Sequence, residues 1–155
     1  MNTPKSVLFV CLGNICRSPM AEGVFRSAIK EAGLKIKVDS AGTAGYHAGE
    51  PPDSRAVLKM KEKGIDISDL RARKFDPEDF QKFDRIYAMD SSNYDNILKL
   101  AKNDAERNKV KLFLNELYPE EGRSVPDPYY GGEEGFELVY TFLNDTVEKI
   151  ISPFK

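Results

Sequence analysis

The chain has 155 residues, of which 41% are hydrophobic and 31% are charged, a composition typical of soluble globular proteins. This length predicts one domain over residues 1–155 with a substantial core, and no apolar run is long enough to cross a bilayer. The 23 basic and 25 acidic side chains leave a net charge of −2, so no overall basic field indicates nucleic acid or a membrane surface as a partner.

The use of cysteine indicates a reducing environment. Cys11 and Cys16 are the two cysteines, and both lie in one short stretch, where a disulfide cannot cross-link distant parts of the fold. We therefore expect a cytoplasmic protein, and the first residues show no signal-peptide pattern. With His47, the single histidine, the two thiols would supply three zinc ligands and no fourth. No metal and no other cofactor is predicted.

The first predicted elements form a βαβ unit. Residues 5–11 are continuously apolar, which is typical of a central parallel strand. Residues 18–32 show helical spacing, with Ser18 as the predicted N-cap and Gly33 as the predicted C-cap. Residues 35–39 alternate like an edge strand. We expect the crossover between the two strands to be right-handed.

The rest of the chain continues the alternation of strands and helices, which predicts an open α/β sheet covered on both faces. In such sheets ligands bind beyond the carboxyl ends of the strands. The predicted elements are a loop over 40–52, a helix over 54–63 capped by Asp53, a helical turn near 77–81, a strand over 84–89, a helix from Asp90 to about 101, a strand over 109–114, a polar loop over 116–127 and a helix over 133–151.

The stretch between the first strand and the first helix is predicted to bind an anion. A loop that runs onto a helix N-terminus points backbone N–H groups at one place, where the helix dipole also favours negative charge. A cysteine in such a field favours the thiolate, and Arg17 supplies a planar set of donors that matches phosphate oxygens. Cys11 is thus a candidate nucleophile toward phosphorus. The predicted phosphate-binding residues are Leu12, Gly13, Asn14, Ile15, Cys16, Arg17 and Ser18.

Asp127 is the candidate general acid. The leaving oxygen of a phosphate monoester must be protonated, and Asp127 lies between Pro126 and Pro128, which stiffen the turn and hold the carboxyl at a fixed angle. A bound phosphate dianion favours the protonated carboxyl. The same group can then deprotonate the water that cleaves a cysteinyl-phosphate. An ordinary turn is the alternative explanation of this segment.

These motifs resemble the low-molecular-weight protein tyrosine phosphatases. The string Cys-Leu-Gly-Asn-Ile-Cys-Arg-Ser-Pro fills residues 11–19, and Asp-Pro-Tyr-Tyr-Gly fills residues 127–131, where the family has its general-acid loop. The resemblance runs from about residue 5 to 150. It implies a three-layer αβα, flavodoxin-like fold with a four-stranded parallel sheet of order 2-1-3-4. It also implies hydrolysis of phosphotyrosine and aryl phosphates through a cysteinyl-phosphate, without a metal.

The resemblance also implies supporting roles around the loop. Asn14, which tolerates a left-handed backbone, holds the loop open through side-chain hydrogen bonds. Ser18 donates to the Cys11 thiolate, although simple N-capping is its alternative role. Ser40 ties down the loop from the neighbouring strand. Cys16 protects an oxidised Cys11 by forming a disulfide, and its alternative is a small buried residue.

The predicted substrate cleft has aromatic walls. Tyr46 resembles the family's aromatic wall position, and Tyr129 and Tyr130 follow the candidate acid. An aromatic face at the cleft mouth would stack on a phenyl phosphate. Ordinary packing is the alternative for both of the latter tyrosines. His47, beside Tyr46, is interpreted as a solvated loop residue without a catalytic role.

One segment departs from the family pattern. Many members have His-x-Ala-Arg near the phosphate loop, and this chain has Leu70-Arg71-Ala72-Arg73. The family's histidine supports the loop by hydrogen bonding, so we expect a less rigid loop with its chemistry retained. Arg73 is expected to pair with a buried acid such as Asp39 or Asp90.

Three other functions compete with a tyrosine phosphatase. A non-catalytic phosphate-binding or redox-sensing module would not need Asp127. Arsenate reductases of this type need further cysteines downstream, which this chain lacks, and protein arginine phosphatases tend to have threonine at the position of Ile15. The expected partners are tyrosine-phosphorylated proteins or peptides, with inorganic phosphate as product and inhibitor. We expect a monomer or weak self-association, and a bacterial source.

Overall fold

The computed structural model describes residues 3–130 and 132–155, and for Tyr130 the backbone alone. Its centre is a four-stranded parallel sheet with the order β2-β1-β3-β4. This arrangement confirms the predicted fold class and strand order. The strands are β1 (Ser6–Cys11), β2 (Lys37–Gly42), β3 (Arg85–Ala88) and β4 (Val110–Leu112).

Helices cover both faces of this sheet. They are α1 (Arg17–Ala32), α2 (Ser54–Glu62), α3 (Asp79–Lys82), α4 (Ser91–Leu98), α5 (Asp104–Arg107) and α6 (Glu133–Ile151), with short 3-10 helices at Phe113–Glu116, Pro128–Tyr130 and Ser152–Phe154. Within residues 3–130 and 132–155, no helix is both long and apolar enough to span a membrane.

The two faces of β1 belong to two hydrophobic cores. All six residues of β1 are buried, because the strand is central and helices lie on both sides of it. Val7 and Phe9 point into a core shared with α1 and α6. Leu8 and Val10 point into a second core with residues of α3, α4 and β4. This double burial explains why the strand is continuously apolar.

The carboxyl ends of β1 and β2 meet where the site lies. Cys11 and Gly42 are register partners. A Cβ atom on Gly42 would lie 2.7 Å from the carbonyl oxygen of Leu12 and 3.1 Å from the carbonyl carbon of Gly13. Position 42 therefore requires glycine, because the backbone after Cys11 passes directly over it.

Several predicted element bounds were wrong. The second strand extends through Gly42 and does not end at residue 39, and the fourth strand is cut to three residues by the 3-10 helix Phe113–Glu116. The helix α4 ends at Leu98, and the short helix α5 was not predicted. Helix α6 matches its predicted range, because its apolar residues follow the helical period over nineteen residues.

The predicted capping of α1 by Ser18 was also wrong. Helix α1 begins at Arg17, and Cys16 is its N-cap without a side-chain hydrogen bond. Ser18 lies inside the first turn and is fully buried. Its hydroxyl is engaged elsewhere, at the sulfur of Cys11. The predicted C-cap is confirmed, since Gly33 has a φ of 71°.

Candidate active site

Residues 11–18, called the phosphate loop from here on, connect β1 to α1. Cys11 is the last residue of β1, and its side chain is buried. The backbone N–H of Asn14 points inward and donates to Cys11 Sγ at 3.3 Å. Ser18 Oγ lies 2.9 Å from the same sulfur, within hydrogen-bonding distance. The loop thus curls around the thiol and surrounds the sulfur with hydrogen-bonding groups.

Asn14 holds this loop in shape. Its backbone has a φ of 58°, the left-handed conformation that asparagine tolerates better than most residues. Its Nδ2 group donates to Ser18 Oγ at 2.8 Å and to Ser40 Oγ at 3.0 Å. Its Oδ1 atom accepts from the backbone N–H of Arg73 at 3.0 Å. One buried amide therefore links the loop, β2 and the segment before α3.

A buried carboxyl group lies behind this network. Ser40 Oγ donates to Glu22 Oε1 at 2.7 Å, and Glu22 also pairs with Arg26 one helical turn later. Burial raises the pKa of Glu22, and the Ser40 hydrogen bond and the Arg26 charge offset only part of this effect. Sequence reasoning missed Glu22. The available signal was an acidic residue between the apolar positions of α1.

Arg17 is buried and held by two partners on other elements. Its Nη1 group donates to Asp90 Oδ2 at 2.7 Å and to the carbonyl of Val125 at 2.9 Å. Burial by itself lowers the pKa of the guanidinium, but the charges of Cys11, Asp90 and Asp127 outweigh it and raise the pKa. The guanidinium is thereby fixed as a cation next to the thiol.

Arg73, in the segment that departs from the family pattern, pairs with two acidic residues. Arg73 Nε donates to Asp39 at 3.2 Å, and its Nη1 and Nη2 groups donate to Asp79 at 3.0 and 3.1 Å. The pairing with Asp39 is confirmed, but Asp39 is 42% exposed, and the buried acid that binds Arg73 is Asp79, which was not predicted. The alternative pairing with Asp90 was wrong because Asp90 holds Arg17. Leu70 packs against the core instead of donating a hydrogen bond.

Asp127 faces the phosphate loop from the segment 125–130, called the acid loop from here on. Its Oδ2 atom is 3.7 Å from Arg17 Nη2, and its Oδ1 atom accepts from the backbone N–H of Tyr129 at 3.0 Å. Val125 anchors the loop from the other side, because its N–H donates to the carbonyl of Met89 at 2.8 Å. The thiol, the guanidinium and the carboxyl therefore share one cleft.

This cleft has a volume of about 280 Å³. Its floor is formed by Cys11 and Arg17, which are 3% exposed, and Tyr46 and Tyr129 at its mouth are 79% and 41% exposed. The side chain of Tyr130, also predicted to wall the cleft, lies outside the described residues. The lining residues are Cys11, Leu12, Gly13, Ile15, Cys16, Arg17, Tyr46, His47, Asp127 and Tyr129.

His47 is closer to the chemistry than its sequence position indicated. It lines the cleft, and its ring lies so near the loop that a Cβ on Gly13 would be 3.0 Å from His47 Cδ2. Its Nδ1 atom is 3.0 Å from Glu50 Oε2. The side chain is 31% exposed, so its interpretation as a partly solvated loop residue holds, and its lack of a catalytic role stays a prediction. Its place beside Tyr46 was the signal available in the sequence.

Cys16 lines the same cleft as a second, buried thiol. Burial raises its pKa far above the ordinary value, and the negative charges of Asp53, Cys11 and Asp127 raise it further. Cys16 is therefore a protonated thiol, and Cys11 remains the candidate nucleophile toward phosphorus. Among the residues that the structure describes, no three His, Cys, Asp or Glu side chains form a group that could hold a metal ion.

The arrangement provides three chemical groups for work on a phosphate ester. A thiol surrounded by donors can attack phosphorus, a fixed guanidinium can bind phosphate oxygens, and a carboxyl beside them can transfer a proton. The supporting residues predicted from the sequence, Asn14, Ser18 and Ser40, lie in one hydrogen-bonded chain beneath the thiol.

Comparison with known proteins gives the same assignment. The family model for low molecular weight phosphotyrosine protein phosphatase matches residues 6–155. A putative low molecular weight protein-tyrosine-phosphatase of Synechocystis is 47% identical over 94% of each chain. The low molecular weight phosphotyrosine protein phosphatase of Homo sapiens is 47% identical over 88% of this chain and 87% of the human one.

Solved structures agree with these relatives. The crystal structure of a protein tyrosine phosphatase from Entamoeba histolytica has a TM-score of 0.89 and 40% identity, and the match covers 96% of each chain. At this level of identity and coverage, both the fold and the family are shown. The chain belongs to the low molecular weight phosphotyrosine protein phosphatase family.

Proposed function

We propose that Cys11, Arg17 and Asp127 carry out the hydrolysis of phosphotyrosine by this member of the family. One observation carries the assignment: the three side chains line a single cleft at the carboxyl end of the central strand. Ligands of open α/β sheets bind at this end. A module that only binds phosphate would not need a carboxyl group there, so Asp127 disfavours the non-catalytic alternative.

The first half of the reaction forms a cysteinyl-phosphate. The Cys11 thiolate attacks phosphorus and forms an S–P bond while the P–O bond to the tyrosine oxygen breaks. Arg17 and the backbone N–H groups of the phosphate loop stabilise the equatorial oxygens. Asp127 gives its proton to the leaving phenolic oxygen, which departs as a neutral phenol.

The second half hydrolyses the intermediate. Asp127, now a carboxylate, takes a proton from a water molecule as the water oxygen attacks phosphorus. The S–P bond breaks, and inorganic phosphate and the Cys11 thiolate are released. The hydroxyl of Ser18, 2.9 Å from the sulfur, stabilises the departing thiolate by hydrogen bonding.

The depth of the cleft supports tyrosine as the substrate residue. Cys11 is 3% exposed, whereas Tyr46 at the cleft mouth is 79% exposed. A phosphate on an aromatic side chain reaches further into such a cleft than one on serine. The aromatic walls also offer faces on which a phenyl ring can stack.

Hydrolysis of aryl phosphates by variants of Cys11 and Asp127 tests the proposal. We expect Cys11→Ser to abolish turnover, because the hydroxyl is a weak nucleophile without a general base. Asp127→Ala should lower kcat/KM for phenyl phosphate by about 10²-fold or more and should matter less as the leaving group improves. Turnover that survives Cys11→Ser unchanged would refute the mechanism.

We also propose that Cys16 protects the nucleophile and that the protein works in a reducing, cytoplasmic compartment. Hydrogen peroxide would convert Cys11 to a sulfenic acid, and the Cys16 sulfur would displace its hydroxyl group as water to give a disulfide. Thiols should then restore activity in the wild type, and recovery should be lost in Cys16→Ser. Equal recovery in both proteins would rule out this role.

The remaining expectations concern partners and source. We propose tyrosine-phosphorylated proteins or peptides as substrates, inorganic phosphate as product and competitive inhibitor, and a monomer or a weakly self-associating protein. Nucleic acid and membranes are not expected as partners, since the net charge is −2. The bacterial source stays a prediction.

A further inference from the structure

Two residues at the start of α2 connect the phosphate loop to the acid loop. The backbone N–H of Asp53 donates to the carbonyl of Ile15 at 2.8 Å. Two residues later, Arg55 Nη2 donates to the carbonyl of Tyr129 at 3.0 Å. We call this pair the Asp53–Arg55 bridge, because one end touches the loop that carries Cys11 and the other touches the loop that carries Asp127.

The bridge is held rigid by its own hydrogen bonds. Asp53 is the N-cap of α2, and its Oδ1 atom accepts from the backbone N–H of Arg55 at 2.8 Å. The guanidinium closes a second contact, with Nε 3.0 Å from Oδ1 and Nη2 3.0 Å from Oδ2. Such a two-point pair fixes the plane of the guanidinium. The Arg55 hydrogen bond lowers the pKa of Asp53, which keeps the carboxylate charged.

Aromatic rings fix the other end of the bridge. The guanidinium carbon of Arg55 lies 5.5 Å from the ring centroid of Tyr129 and 5.0 Å from that of Phe136. Guanidinium groups stack favourably on aromatic faces at these distances. Phe136 is buried in α6. Arg55 therefore contacts Asp53 at the beginning of α2, the ring of Tyr129 in the acid loop and the ring of Phe136 in α6.

Tyr129 transmits this contact to the acid. Its carbonyl accepts from Arg55, and its N–H donates to Asp127 Oδ1 at 3.0 Å. The same residue thus faces Arg55 with one backbone group and Asp127 with the other. Because Asp127 Oδ1 is held in this way, its Oδ2 atom is the one directed at Arg17, 3.7 Å away.

We propose that Arg55 is a positioning residue that sets the place of the Asp127 carboxyl relative to Cys11. This inference rests on the proposed function, in which Asp127 is the general acid. Arg55 does not line the cleft and acts through Tyr129. A displacement of about 1 Å in a reacting group costs up to roughly 10²-fold in rate. A bridge that fixes the separation of the two loops should therefore increase the rate of the acid-assisted step.

The test compares Arg55→Ala and Arg55→Lys with Arg107→Ala as the matched control. Arg107 is also an exposed arginine, and it pairs with Asp104 on the short helix α5, away from the cleft. The readout is kcat/KM for phenyl phosphate, a poor leaving group, and for 2,4-dinitrophenyl phosphate, a good one. Thermal unfolding of each variant reports whether it is folded at the assay temperature.

Arg55→Ala should lower kcat/KM for phenyl phosphate about tenfold and for the dinitrophenyl ester less than about twofold, because only the former needs an acid. Arg55→Lys should behave like Arg55→Ala, since an ammonium group cannot reproduce the planar two-point contact. Arg107→Ala should change neither value. Equal losses on both esters for Arg55→Ala would overturn the inference, since they would indicate a general structural defect.

The double variant Arg55→Ala/Asp127→Ala separates the inference from the proposed function. If Arg55 acts through Asp127, its removal should cost less than about twofold once Asp127 is absent. A full additional loss in that background would refute the positioning role while leaving Asp127 as the acid. If Asp127→Ala alone shows no dependence on the leaving group, the proposed function fails first.

Discussion

Arg17 and Asp90 form a partly buried, hydrogen-bonded ion pair of 2.7 Å that joins the first residue of α1 to the N-cap of α4. The two carboxylate oxygens of Asp90 have different partners. Oδ2 accepts from Arg17, and Oδ1 accepts from the backbone N–H of Asn93 at 2.7 Å. Asp90 therefore both orients the phosphate-binding guanidinium and begins a helix.

We expect Asp90→Ala to damage activity and stability together. It removes a helix cap, which costs about 1 kcal/mol of unfolding free energy, and leaves a buried guanidinium without its carboxylate, which costs more. Asp90→Asn retains an oxygen for the cap and should lose activity with less destabilisation. Measurements of kcat/KM and of urea unfolding by circular dichroism test both variants.

Asn103→Ala is the matched control for this prediction. Asn103 caps α5 by accepting from the backbone N–H of Glu106 at 2.8 Å and takes no part in the cleft. Its removal should lower stability by about 1 kcal/mol without changing kcat/KM. A variant at Asp90 that retained full activity would show that Arg17 does not need this partner.

Asn14→Ala should be strongly destabilising. It deletes three side-chain hydrogen bonds and places alanine at a φ of 58°, so the combined loss is about 3–4 kcal/mol. Asn14→Gly removes the same hydrogen bonds without the backbone strain and should lose about 1 kcal/mol less. Chemical denaturation measures the difference. Equal losses would show that the left-handed conformation carries no cost for alanine here.

The buried carboxyl of Glu22 should make the unfolding free energy decrease as pH rises through its raised pKa. Its ordinary pKa is 4.5, and burial raises the pKa in the folded protein. Between those two values the folded state binds more protons than the unfolded state, so stability falls as pH rises above about 4.5 through the raised pKa. Glu22→Gln keeps an acceptor for Ser40 and removes this titration.

The unfolding free energy should therefore depend less on pH in Glu22→Gln than in the wild type over this range. Urea unfolding at several pH values above 4.5 provides the measurement. Glu31→Gln, at an exposed position on the same helix, should follow the wild type. Parallel curves for the wild type and Glu22→Gln would show that the buried carboxyl is not the source of the slope.

The same substitution should have opposite effects at two helical glycines. A Cβ on Gly23 of α1 would lie 2.6 Å from Ile67 Cγ2, so Gly23→Ala should lose about 1–2 kcal/mol although alanine favours helices. On Gly135 of α6 the nearest atom, Cβ of Pro128, is 3.7 Å away. Gly135→Ala should therefore gain up to about 1 kcal/mol. Thermal unfolding distinguishes the two signs.

The sequence predicted the features that depend on local pattern. The apolar period of α6, the apolar run of β1 and the conformation of Asn14 were all accessible, because each depends on nearby residues. The string over residues 11–19 pointed to the phosphate loop for the same reason. Asp127 was identified by its two flanking prolines and by the family resemblance.

What the sequence did not reveal depends on distant contacts. Arg55 and Tyr129 are separated by 74 positions, and no local pattern marks them as partners. For Ser18 the sequence left two roles open, a helix cap and a donor to Cys11, and the structure confirms only the contact with Cys11, because the loop turns back toward the sulfur. Helix α5 has only four residues, too few for a hydrophobic period.

The anchoring of Val125 has a consequence for how this chain tolerates insertion. Residues 119–124 are all exposed, and Val125, which follows them, is fixed by hydrogen bonds to Met89 and Arg17. Changes of length in an exposed loop cost little entropy. Because Val125 is held in place, an insertion before it should not shift the position of Asp127. We therefore expect that a fluorescent or affinity tag inserted within residues 119–124 leaves the position of Asp127 relative to Cys11 unchanged.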